Sequence, residues 1–169
     1  MHSCCSTDID RNIQDKPILP LNVSLDHLEL PNSATFHGGN VSPAITLNDL
    51  KPEAISIVVM VFNPFIKTCC SFTPWIIWNI PILKRIPAGI PVGQVVTSPV
   101  SVVQGINDYG EFGYHGPEPP IGEMHRYQFR VYSLDSMLTI PGGSSKEELI
   151  AAMKGHVLQY GETVAISTG

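Results

Sequence analysis

Between Gly113 and Asp135 the chain reads GYHGPEPPIGEMHRYQFRVYSLD, and this stretch constrains the fold more than any other. Three glycines (Gly113, Gly116, Gly122) and three prolines (Pro117, Pro119, Pro120) fall within its first ten residues. Backbone angles are therefore fixed at some positions and left free at others, and no regular element fits. From His125 the pattern changes to an apolar/polar alternation, Tyr127, Phe129, Val131 and Tyr132 against Arg126, Gln128, Arg130 and Ser133, which predicts a strand. A rigid Gly/Pro loop that delivers a histidine to the first residue of a core strand presents a polar group at the rim of a pocket.

The remaining residues suggest a flexible tail, 1–17, and a single domain, 18–169. Leu19 to Leu30 alternates loosely, as a first strand would. Ala54 to Phe62 and Trp75 to Ile80 are continuous apolar runs of the kind found in central strands buried on both faces. Together with Arg126 to Leu134 they are the expected core strands, and Thr163 to Ser167 is expected to close the sheet. One helix is expected over most of Lys146 to Met153. Ser144 and Ser145 each stand three residues before a glutamate, giving two possible capping boxes. Leu149, Ala152, Met153, His156 and Val157 share one helical face, and Gly161 separates helix from strand. Lys84 to Met124 is long and rich in Gly and Pro, a stretch that is usually functional or disordered inside a compact domain.

Four segments in this order resemble the phosphatidylethanolamine-binding proteins, in their bacterial and archaeal Raf-kinase-inhibitor-like (YbhB/YbcL-like) branch. FHGGNVSPAI (Phe36 to Ile45) is similar to the family's Gly-Asn-x-Ser-Pro segment. VVMVFNPF (Val58 to Phe65) stands where the family writes a strand ending in Asp-Pro-Asp. PWIIWNIP (Pro74 to Pro81) stands at its His-Trp strand. GINDYGEFGYHGP (Gly105 to Pro117) matches the approach to the family's signature loop, and the GPEPPIGEMHRY run that follows (Gly116 to Tyr127) matches the GPxPPxGxxHRY signature itself. The resemblance implies a mainly β fold, a Greek-key β-sandwich of a large and a small sheet with one or two helices.

It also implies a small anion pocket for phosphate or phospholipid head groups, expected to gather Asn63, Phe65, Pro74, Gly116, Pro117 and His125. The family's three polar pocket residues carry over unevenly. The HRY histidine is His125. The first aspartate of Asp-Pro-Asp falls on Asn63, which keeps the shape and loses the charge, and the second becomes Phe65, which is expected to narrow the cavity. The His-Trp histidine falls on Pro74, which has no side-chain donor. Without a carboxylate at position 63, His125 loses a partner that would hold it protonated and attractive to an anion. The expectation is therefore a non-enzymatic binding or regulatory protein with an altered, weakened anion pocket. The alternative is a protein-interaction module acting on a kinase pathway or a serine protease, without small-ligand binding. For His125 itself, the plainer reading is a histidine bonded to loop carbonyls.

No nucleophile elbow, phosphate-cradling loop, metalloprotease pair or cofactor motif is present, and no carboxylates pair for acid/base work. The net charge of −5, from fifteen acidic and ten basic residues, offers no footprint for nucleic acid. The longest apolar run is too short for a transmembrane helix, and the polar N-terminus lacks a signal-peptide core, so a cytoplasmic chain is expected. A homodimer is an expectation carried by relatives alone. The doublets Cys4-Cys5 and Cys69-Cys70 read as reduced thiols, with a soft-metal or disulfide clamp as the alternative. Of the remaining histidines (His2, His27, His37, His115, His156), only His115 lies where it could join the pocket. His156 is expected to pack at the helix-to-strand junction.

Overall fold

The computed structural model describes residues 14, 16–64 and 72–169. Along the chain run β1 (Leu19–Pro20), β2 (Asn22–Leu25), a 3-10 turn (Asn32–Ala34), β3 (Ile45–Asn48), β4 (Ser56–Asn63) and β5 (Phe72–Ile80). They are followed by β6 (Arg85–Ile86), β7 (Val95–Val96), β8 (Val102–Gln104), β9 (Met124–Leu134), α1 (Lys146–Met153) and β10 (Val157–Thr168). A large sheet has the order β1-β10-β9-β4-β5-β8-β7, and a small sheet the order β2-β3-β6.

All eight residues of β4 are buried, because the strand lies mid-sheet between β5 and β9 and is covered on both faces. Ile57, Val59 and Val61 pack with Trp75, Ile77, Phe129 and Val131 against Ile45, Leu47 and Ile86 of the small sheet. On the other face Val58, Met60 and Phe62 pack with Ile76, Trp78 and Leu134 against Leu149, Ile150 and Met153 of α1. Each such side chain contributes roughly 1.5–3 kcal/mol when fully buried. The continuous apolar runs thus follow from two cores sharing one strand.

Several boundaries differ from those the sequence suggests. The loose alternation of Leu19 to Leu30 is two strands: β1 pairs in parallel with β10, and β2 pairs with β3 in the other sheet. The crossing occurs at Leu21, whose N–H bonds the Tyr160 carbonyl while its own carbonyl lies over Gly161. Gly161 is therefore in mid-strand and not at a helix-to-strand boundary. A Cβ there would stand 2.0 Å from the Leu21 oxygen. The closing strand spans Val157–Thr168 and not just its last residues, since β9 offers it a long partner along most of its length. Helix α1 stops at Met153, so His156 and Val157 do not extend its face. Val157 instead pairs with Leu134.

The long Gly/Pro-rich stretch is ordered by buried side-chain amides. Gln104 donates to the carbonyls of Pro91 (2.8 Å) and Gly93 (3.0 Å) and accepts from the Trp75 indole (2.8 Å). Asn107 donates to Gly113 O (2.9 Å) and accepts from the N–H groups of Tyr109 and Glu111. These bonds satisfy backbone groups that no ladder reaches.

Candidate functional site

Strand β4 runs antiparallel to both β5 and β9. The end of β4 and the starts of β5 and β9 therefore lie at one end of the large sheet. Asn63 and His125, 1% and 5% exposed, meet there, with Asn63 Nδ2 3.2 Å from His125 Nδ1 and 3.4 Å from the Tyr127 hydroxyl. On the other side of the ring, Glu123 Oε1 lies 2.9 Å from His125 Nε2. A carboxylate accepts and an amide nitrogen donates. Nε2 therefore donates to Glu123, and Nδ1 accepts from Asn63. These described partners are side chains and not loop carbonyls. His125 also regains, from two residues earlier in the chain, the carboxylate that position 63 lacks.

Pro74 sits where the β4–β5 register shifts between Val61 and Asn63. An interrupted ladder tolerates a residue without an N–H. Its carbonyl accepts from the backbone N–H of His115 at 3.2 Å, which seats the Gly/Pro loop against β5. Next to it, Thr73 N–H donates to Asp108 Oδ2 at 2.8 Å, and the buried Lys146 Nζ reaches Thr73 Oγ1 at 2.8 Å and Asp108 Oδ2 at 3.3 Å.

Gly116 and Pro117 come to the same end through the segment around Asn40. Gly116 N–H donates to Asn40 Oδ1 (2.7 Å), Asn40 Nδ2 donates to Tyr114 O (2.9 Å), and Phe36 N–H donates to Pro117 O (3.0 Å). Tyr114 closes the contact by donating its hydroxyl to Ala34 O at 2.7 Å.

His115 does join this region. Its ring is stacked between Phe36 (centroids 4.0 Å apart) and Tyr109 (3.5 Å), with Nδ1 2.8 Å from Glu111 Oε1. Burial, with Glu118 and then Glu111 adding to it, pushes the Tyr109 phenol up. Burial, Tyr109 and Glu118 do the same to Tyr127. Both hydroxyls stay protonated in a surround carrying three carboxylates, Glu111, Glu118 and Glu123.

Phe65, His2 and the four cysteines lie outside the described residues. His27 lines a cavity of about 140 Å³ with Asp26, Arg85, Ala34 and Val41, and not the Asn63–His125 contact. His156, at the helix-to-strand junction as expected, meets Asp135 there, Nδ1 to Oδ1 2.8 Å. Sequence reasoning missed Glu123, Glu111, Glu118, Tyr109 and Asn40. Only Glu123 carried a signal, since two positions before His125 at a strand start places it on the same face.

The arrangement is that of a two-sheet β fold with a histidine at one sheet end, faced by a Gly/Pro loop. A family profile described as phosphatidylethanolamine-binding protein matches residues 22–167. A UPF0098 protein of Pyrococcus horikoshii is 42% identical over 138 residues, 81% of this chain and 69% of that protein. The UPF0098 protein YbhB of Escherichia coli is 36% identical over 112 residues, 66% of this chain and 70% of YbhB. The crystal structure of E. coli YbcL superposes with a TM-score of 0.77 at 25% identity, covering 88% of this chain and 98% of YbcL. The chain belongs to the phosphatidylethanolamine-binding protein family. Within that family its likeness is to the YbhB/YbcL branch.

Proposed function

We propose that this family member is a non-enzymatic binding or regulatory protein. On this reading, the anion pocket at the Asn63–His125 end of the sheet is weakened toward phosphate and phospholipid head groups. The observation that carries the reading is that both ring nitrogens of His125 already have side-chain partners, Asn63 on Nδ1 and the Glu123 carboxylate on Nε2. A phosphate would have to take the Nε2–H from Glu123 and then sit beside that carboxylate. Pro74 offers no side-chain donor in compensation, and charge-assisted donors are the strong ones in oxyanion binding.

Calorimetric titration with inorganic phosphate and with phosphoethanolamine at pH 6 and pH 8 tests this. Wild type should bind at least ~10-fold more weakly than the variant carrying Asn63→Asp, Phe65→Asp and Pro74→His, because a hydrogen bond to a charged group is worth about 1.5–3 kcal/mol. Glu123→Gln should strengthen binding, and His125→Ala should abolish what remains. Tight phosphate binding by wild type that survives His125→Ala would overturn the reading.

One observation favours a protein-interaction module as the second reading. Ile121, 97% exposed, stands between Pro120 and Gly122 at the tip of the Gly/Pro loop. Loops presented in this way carry recognition. If the chain restrains a serine protease or a kinase, Ile121→Asp should relieve that restraint in an activity assay. Equal restraint by wild type and variant would sink this second reading.

A further inference from the structure

We propose that His37, His115 and Glu118 form a site for a divalent transition-metal ion, with Glu111 as its outer partner. The site pins the Gly/Pro loop to the segment after the 3-10 turn. His115 Nε2 is buried, and it has no hydrogen-bond partner among the described residues. Its nearest ionisable neighbour is Glu118 Oε2 at 3.5 Å, and that same oxygen lies 3.6 Å from His37 Nε2. Neither contact is a hydrogen bond. Both separations are close to the ~3.3–3.5 Å expected between two ligands of one tetrahedral ion with metal–ligand distances of about 2.0–2.2 Å.

The remaining features fit the same chemistry. The Glu111 carboxylate only accepts, so His115 Nδ1 donates to it at 2.8 Å, and Nε2 is the nitrogen turned toward Glu118. A ligating histidine typically has a carboxylate behind its other ring nitrogen, which orients the ring and raises its basicity. Phe36 and Tyr109 hold the ring from both faces. Two imidazoles and one carboxylate suit zinc, cobalt(II) or nickel(II) rather than calcium or magnesium, with a fourth position left to solvent. No three His, Cys, Asp or Glu side chains among the described residues already close on one point. The site is completed by a turn of the His37 side chain, which is 81% exposed.

Cobalt(II) titration of the full chain tests this, read by its visible d–d absorption and by calorimetry, with no phosphate present so that the result is independent of the anion reading. One ion should bind per chain without the near-ultraviolet charge-transfer band of thiolate ligation. His37→Ala changes an exposed side chain and should leave the fold intact. It should weaken binding at least tenfold, as should Glu118→Gln, while Glu111→Gln should weaken it about 10–100-fold through the orientation of His115. The proposal is overturned if wild type binds no cobalt. It is also overturned if His37→Ala and Glu118→Gln bind as wild type does, or if thiolate charge transfer is the sole signal, which would place the ion on the cysteine doublets.

Discussion

A Cβ on Gly116 would stand 2.2 Å from the Ala34 carbonyl oxygen and 2.9 Å from the Phe36 nitrogen, both backbone atoms that cannot swing aside. The Gly/Pro loop is seated by this close approach as much as by its hydrogen bonds. Gly116→Ala should therefore destabilise the protein by about 1–3 kcal/mol, the usual cost of overpacking. The urea midpoint should fall with an unchanged slope, and a midpoint equal to wild type would mean that the loop re-seats freely. At this scale the resemblance made Asn63, Pro74 and His125 legible, because each falls at a motif position. Glu111, Glu118 and Asn40 were not legible. They reach the site through a loop whose path depends on Asn107 and Gln104, and such contacts leave no periodic trace.

Helix α1 shows how far an element can be read locally. Two serines satisfied the capping pattern, and the structure distinguishes them. Ser145 has extended backbone, accepts from Glu148 N–H, and donates its own N–H to the Glu148 carboxylate. Ser144 Oγ instead donates to Pro141 O. Ser145→Ala should cost about 1 kcal/mol, seen as a lowered thermal midpoint, and an unchanged midpoint would remove the cap from the account. The helix ends at Met153, within the expected range, and only the placing of His156 and Val157 on its face was wrong, because Val157 suits a helical face as well as a strand. Pairing with Leu134 decides between them, and that partner lies far away in sequence.

Across the whole molecule, Asp135 ties three distant parts together. It follows β9, accepts from Lys16 Nζ at 2.9 Å, and meets His156 just before β10. Burial raises the carboxyl pKa, but the bonds and charges of Lys16 and His156 outweigh this and the net shift is downward. A folded value below the unfolded one, about 3.9, makes this contribution fully present above that unfolded value. It is lost as pH falls through the lower folded value. Asp135→Asn should thus lower the urea midpoint at pH 6–7 by at most about 1 kcal/mol equivalent, as for partly exposed pairs. The difference from wild type should fade below pH ~4. A difference that persists unchanged at pH 2 would exclude the ionised carboxylate as its source.

What the sequence determined by itself was whatever is written in local pattern. The β-branched runs that became β4 and β5, the alternation of β9 and the start of α1 are all of this kind, because side-chain period and steric preference act within a few residues. Only the tertiary structure decided how β1 and β2 divide between two sheets, how far β10 extends, and how Asn40 comes to bridge Tyr114 and Gly116. Each of those outcomes is a contact between segments distant in the chain. Its energy depends on where other strands have already gone, and no local window contains that information.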